Sequence, residues 1–218
     1  MASYIIFDFD GTLADTNAGI VATFKKTMEI LGIPSPTDSE ITATIGLPLK
    51  KNFLVAVKDI SDELADECVR TYRSVFDETA IPTIKAFPGV KETLTSLHER
   101  GIRMVIATSR SHRSLKLISD NLGLSRYFCD AYCAEDVRNH KPAPDIVNLI
   151  LKNHNITPDD ALVVGDTTFD LMMGQAAGCK VCGVTWGNHT EEMLRQVNPD
   201  YIINSIEELN AISGTILL

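Results

Sequence analysis

The sequence predicts an α/β fold in which a parallel sheet carries an inserted block of helices. Three observations lead there. From residue 81 onward, short apolar runs alternate with segments of helical period, the pattern of a parallel α/β sheet. An apolar run, Tyr4-Ile5-Ile6-Phe7, supplies a first strand long before that alternation begins. Between the two, residues 16–80 show helical periodicity and no convincing strand. At 218 residues and 44% hydrophobic, the chain can bury a sizeable core, and about 150 residues per domain suggests one domain with a large insertion, or two domains.

In order, the first strand is followed by "AGIVATFKKTMEILG", apolar at helical spacing and closed by Gly32, and by "SDELADECVRTYRSVFDETA", which repeats the pattern after Ser61. "FPGVKETLTSLHERG" reads as a helix entered through Pro88-Gly89 and ended at Gly101, leading into the strand "IRMVIATS". A helix over residues 112–122, a strand near "AYCAEDV", a helix after Pro144, the strand "ALVVGD", a helix over residues 169–177 and the strand "KVCGVT" continue the alternation. A last strand and helix lie in "DYIINSIEELNAI". Without residues 16–80 the remainder is close to the ~150 residues of a single domain. Residues 1–15 and 81–218 are therefore expected to form the core, and residues 16–80 a helical insertion.

A net charge of -9 and a pI near 5.0 argue against nucleic acid or an anionic membrane as partner. No run approaches the ~20 apolar residues of a spanning helix, and the N-terminus lacks a basic flank or cleavage site, so a cytoplasmic protein is expected. Five cysteines, Cys68, Cys129, Cys133, Cys179 and Cys182, read as buried reduced thiols. Cys179 and Cys182 have CxxC spacing, with Cys129 and Cys133 as an imaginable second half of a zinc site, but "GCKVCGV" runs into a β-branched strand rather than a knuckle turn.

The first strand ends in two carboxylates, Asp8 and Asp10, one residue apart. Burying such a pair is unfavourable unless something cationic or a shared proton balances it. Asp166 and Asp170 form a second pair at the end of "ALVVG", on the edge where open α/β sheets bind ligands. If the two strands are neighbours, all four carboxylates converge, and such oxygen ligands suit magnesium better than zinc. Taken alone, Asp166-Thr167 would be an ordinary helix N-cap. Thr108 and Ser109 offer hydroxyls and N–H groups where a helix begins, a natural anion seat, and Lys141 is a cation constrained by the prolines after it. Each alone reads as a strand end or a solvated charge.

"DFDGT", "ATS", "KPAPD" and "GDTTFD", in this order and spacing, resemble the four motifs of the haloacid dehalogenase superfamily, specifically its phosphatases with a helical cap after the first motif. "FPGV", "GVTWG" and "DYIINSIEEL" look like the phosphoglycolate phosphatase branch, so the likeness covers essentially the whole chain. The resemblance implies a Rossmann-like doubly wound parallel sheet with an inserted α-helical cap. It implies that Asp8 is a nucleophile forming an aspartyl-phosphate and that Asp10 protonates the leaving oxygen and then activates water. Mg2+ would be held by Asp8, the Asp10 carbonyl, Asp166 and Asp170, the last directly or through water. Thr108, Ser109 and Lys141 would hold the non-reacting phosphate oxygens. The partner is then a small phosphoester, with no nucleic acid or membrane, in a monomer or weak homodimer.

Three other readings stay open. A β-phosphoglucomutase-like phosphomutase shares every core motif, although Leu49 stands where a basic cap residue would be expected. A phosphonatase would need a Schiff-base lysine in the cap, where Lys25, Lys26, Lys50, Lys51 and Lys58 lie. A catalytically silent binding protein would be expected to have lost at least one of these carboxylates. Substrate choice is expected in "TIGLPLKKNF", with Lys50 or Lys51 reaching an anionic leaving group or merely decorating a solvated face. Asp15 is expected to N-cap the first helix, and His112, His140 and His189 to be surface or loop residues.

Overall fold

Every residue of β1 (Tyr4–Phe7) is buried, as an all-apolar run at the centre of a two-sided sheet requires. The computed structural model describes residues 4–216. After β1 the chain makes a two-residue strand, β2 (Ala14–Asp15), and then helices α1 (Asn17–Leu31), α2 (Asp38–Thr42), α3 (Leu49–Ala56) and α4 (Asp62–Ala80). Gly32 ends α1 in the left-handed region, at φ 65°, and the Ser61 hydroxyl caps α4 by accepting from the Leu64 N–H. No strand occurs between residues 16 and 80. The chain returns through β3 (Lys85–Ala86), which pairs antiparallel with β2.

Then α5 (Val90–Glu99), β4 (Arg103–Ala107), α6 (His112–Asn121), β5 (Phe128–Tyr132), α7 (Asp145–His154), β6 (Ala161–Gly165), α8 (Thr168–Ala176) and β7 (Lys180–Val184) alternate. They are followed by α9 (Glu191–Arg195), β8 (Tyr201–Ile203) and α10 (Leu209–Ile216). The main sheet has six strands in the order β5-β4-β1-β6-β7-β8, with parallel pairing throughout.

Period-two alternation sends Ile5 and Phe7 to one face, against Val90, Leu94 and Leu97 of α5 and Leu115 and Ile118 of α6. Tyr4 and Ile6 face the other layer, with Ile146, Val147 and Ile150 of α7 and Leu171 and Met173 of α8. Helices on both faces make the sheet doubly wound. In the helical block, Phe24 of α1 stacks on Phe53 of α3, ring centres 4.3 Å apart, and Tyr72 and Phe76 of α4 extend the same apolar cluster.

Three expectations are corrected. The strand placed near "AYCAEDV" lies earlier, at β5; Ala134–Asp136 instead form a 3-10 turn, because the Asp136 carboxylate accepts from the Cys133 N–H and caps it. Asp15 does not cap α1: it is extended in β2 opposite Lys85, and Thr16 occupies the N-cap position without a side-chain cap bond. The five thiols are not all buried: Cys129 is exposed on β5, at the edge of the sheet and well separated from Cys182 on β7. All five thiols are free, and burial pushes those of Cys133, Cys179 and Cys182 up to about 12. Among the described residues no helix is long and apolar enough to cross a membrane.

Candidate functional site

β1 lies between β4 and β6, with Phe7 in register with both Ile106 and Val164. The residues that follow these three strands therefore emerge side by side at one edge of the sheet: Asp8 after β1, Thr108 after β4, Asp166 after β6. The Asp8 N–H donates to the Val164 carbonyl at 2.8 Å, which extends the β1–β6 ladder to the site. Asp170 joins them from the first turn of α8, where Thr167 is the N-cap and Asp170 closes the capping box. The N-cap of the Asp166-Thr167 pair is thus Thr167, which leaves the Asp166 carboxylate to the site.

Asp8, Asp166 and Asp170 are all buried, with one carboxylate oxygen from each lying within 4.8 Å of the others. Lys141, also buried, bridges two of them: its Nζ donates to Asp8 Oδ1 at 2.5 Å and to Asp170 Oδ1 at 2.7 Å. Asp166 accepts from the Thr12 hydroxyl at 3.0 Å and, on its other oxygen, from the backbone N–H and side-chain amide of Asn188 at 2.7 and 2.8 Å. Among the described residues, the second oxygen of Asp8 accepts no hydrogen bond.

Asp10 is not part of this cluster, contrary to the four-carboxylate convergence. Its carboxylate accepts from Arg110 Nε and Nη2 at 2.7 and 2.6 Å and from the Thr16 hydroxyl at 2.5 Å. A bidentate guanidinium satisfies a carboxylate on both oxygens and holds it there. The Arg110 guanidinium also lies 5.2 Å from the centre of the Phe76 ring of α4.

Thr108 is buried; its N–H donates to the Tyr132 carbonyl and its hydroxyl accepts from the Arg110 N–H. The Ser109 hydroxyl is engaged elsewhere, donating to the Gly46 carbonyl of the helical block at 2.7 Å. Lys50 is held by Asp62 at 2.6 Å and Asp66 at 2.9 Å, and Lys51 is exposed. His112 begins α6, exposed and paired with Asp136, and His140 lies on a loop. His189 is a loop residue but not a surface one: it is buried, its Nδ1 accepts from the Thr168 N–H, and burial lowers its pKa.

Sequence reasoning missed Arg110, Thr12, Thr16 and Asn188. Only Arg110 had a usable signal, a guanidinium directly after the anion seat "ATS".

Three buried carboxylates face one ammonium, and the imbalance shows in their protonation. Burial pushes Asp8 well above the usual carboxylate range, with Lys141 opposing and Asp170 adding to the rise. Burial and then the Asp170 charge raise Asp166 to about 7. Burial disfavours the Lys141 ammonium, but its carboxylate neighbours outweigh that and raise its pKa. A divalent cation would bring the four groups to neutrality, and an all-oxygen donor set suits a hard ion. The residues present therefore fit a divalent metal.

Residues 5–184 match the family described as haloacid dehalogenase-like hydrolase. The chain belongs to this family.

Among its curated relatives, it is 37% identical to "Probable phosphatase IndB" of Dickeya dadantii, over 96% of this chain and 92% of that one. It is 32% identical to the pyrophosphatase PpaX of Bacillus pumilus, over 96% and 95%. It is 26% identical to the phosphoglycolate phosphatase of Vibrio parahaemolyticus, over 94% and 93%. A solved haloacid dehalogenase-like hydrolase from Streptococcus pneumoniae superposes with a TM-score of 0.85 at 29% identity, covering 97% of this chain and 98% of that one.

Proposed function

We propose that this hydrolase is a magnesium-dependent phosphatase acting on a small phosphomonoester of the phosphoglycolate kind through an aspartyl-phosphate on Asp8. The observation that carries the reading is Asp8 itself, a buried residue lining a cavity, with one carboxylate oxygen free of hydrogen bonds while Lys141 holds the other. The phosphatase and pyrophosphatase names of the relatives support the same class.

In this mechanism the free oxygen of Asp8 attacks phosphorus, the bond to the leaving oxygen breaks, and that oxygen takes a proton from Asp10. Asp10 then accepts a proton from water as the water attacks the aspartyl-phosphate, releasing phosphate and restoring Asp8. For either transfer the Asp10 carboxyl has to leave Arg110 and turn towards the reacting oxygen. Lys141, the Thr108 hydroxyl and the backbone N–H of Ser109 hold the non-reacting oxygens, the Thr108 N–H being committed to the Tyr132 carbonyl. Held by Asp8, Asp166, Asp170 and the Asp10 carbonyl, magnesium would neutralise charge between the nucleophile and the phosphoryl oxygens. Residues 16–80 act as a cap over a core formed by residues 1–15 and 81–218, and close over the site to exclude bulk water.

Phosphate release from a panel of small phosphoesters, with magnesium and without a bisphosphate primer, tests the proposal. Asp8→Asn is expected to lower turnover by at least about 10³-fold, because it removes the nucleophile while keeping size. A smaller loss, or primer-dependent isomerisation of a sugar phosphate faster than phosphate release, would overturn it.

A further inference from the structure

The cavity above Asp8 has a volume of about 740 Å³ and is walled by both the sheet edge and the helical block. Five cationic side chains line it: Lys50, Arg70, Arg73, Arg110 and Arg113. Three are already matched. Lys50 is held by Asp62 and Asp66, Arg110 by Asp10, and Arg113 by Asp77 at 2.5 Å. Arg70 and Arg73 are different: neither makes an ion pair or hydrogen bond with any described residue. They stand three residues apart on α4, so they share one flank of that helix. The same helix contributes Val69, Tyr72 and Phe76 to the apolar part of the wall.

In a protein of net charge -9, two unmatched arginines, exposed to solvent on the wall of the cavity that Asp8 also lines, are a local reversal of sign. Guanidinium forks match the planar oxygens of a carboxylate and the oxygens of a phosphate, often bidentately. Of the acidic residues of α4, Asp62, Asp66 and Asp77 are taken by Lys50 and Arg113, and Glu67, three residues before Arg70, makes no ion pair with it among the described residues.

We infer that Arg70 and Arg73 form a second anion site in the cavity, and that the substrate is a phosphoester or phosphoanhydride whose leaving group carries its own carboxylate or phosphate. The inference rests on the phosphatase reading and deepens it. It also moves the specificity role expected of Lys50 and Lys51 to α4: Lys50 is neutralised where it stands, and Lys51 is not on the cavity wall.

The test compares the full-length protein with Arg70→Ala/Arg73→Ala and with Arg70→Lys/Arg73→Lys on three substrates. Phosphoglycolate has a carboxylate-bearing leaving group, pyrophosphate has a phosphate leaving group, and p-nitrophenyl phosphate has no second anionic group. The alanine pair is expected to raise KM about tenfold or more for whichever doubly anionic substrate is preferred, with kcat nearly unchanged and p-nitrophenyl phosphate within about twofold. The lysine pair should recover part of the loss, since it restores charge without the fork. Preference for phosphoglycolate over pyrophosphate, or the reverse, identifies the anion. Equal losses on all three substrates, or none, would overturn the site.

Calorimetric titration of phosphoglycolate and pyrophosphate into Asp8→Asn separates the two levels of the argument. If no substrate is turned over by the wild type but the arginine pair still governs binding of either ligand, the anion site stands and the phosphatase reading falls. If neither ligand is bound more weakly without the arginines, the anion site falls whatever the turnover.

Discussion

Gly11 lies three residues after Asp8 and packs directly against Asp166 and Asn188. Its φ is 78°, and a Cβ built there would overlap Asp166 Oδ2 and the Asn188 amide. Gly11→Ala thus combines a left-handed backbone penalty of about 1–2 kcal/mol with displacement of the Asp166 carboxylate. The expected result is a lower melting temperature together with a raised magnesium concentration for half-maximal activity. Wild-type magnesium dependence in a stably folded variant would show that Asp166 does not need this close approach. The cysteines give a second prediction. A thiol whose pKa is raised to about 12 is almost wholly protonated at pH 8, and the thiolate is the nucleophile, so Cys133, Cys179 and Cys182 should resist alkylation in the native state. Burial raises the Cys68 thiol as well, leaving the exposed Cys129 as the site of labelling. Mass spectrometry after iodoacetamide treatment should find one adduct, on Cys129; rapid labelling of Cys182 would contradict the burial.

At the level of elements, α4 is held by a cap at one end and an aromatic cluster along its length. Ser61→Ala should cost about 1 kcal/mol, the usual value of an N-cap hydroxyl, and leave the KM for p-nitrophenyl phosphate unchanged. Phe53→Ala removes a fully buried ring stacked on Phe24 and should cost about 3–5 kcal/mol, measured by denaturant unfolding. Both helices of this pair differ in how readily the sequence reveals them. α4 is amphipathic over nineteen residues and begins after a serine, so period and cap agree. α3 has eight residues and starts after Pro48, too few turns for a period to emerge. β5 was misplaced because Cys129 and Asp130 are exposed on an edge strand, which removes the apolar run that marks β1 and β6. β2 and β3, of two residues each, carry no alternation at all. Asp8, Asp166 and Asp170 were legible because carboxylates at the ends of apolar strands are chemically anomalous. Arg110 was missed although it directly follows the anion seat, because a single arginine in a loop is ordinary until its partner is known.

Across the whole molecule, the uncompensated carboxylates couple stability to the metal. A cation bound only by the folded chain stabilises it by mass action, by about 2.7 kcal/mol at about 100 times its Kd. Magnesium should therefore raise the melting temperature and EDTA abolish activity, with magnesium restoring it; Asp8→Asn should blunt the thermal shift. An unchanged melting temperature at millimolar magnesium would argue against the Asp8, Asp166 and Asp170 site. The short β2–β3 ribbon has a wider implication. Ala14 pairs with Ala86 and Asp15 with Lys85, so the helical block departs from the rest of the chain and rejoins it at the same point. A segment whose two ends abut behaves as an exchangeable cassette: it can grow, shrink or be replaced by recombination while the gap that its flanking strands must span stays fixed. Evolution can then rewrite what this family recognises without renegotiating the chemistry beneath it.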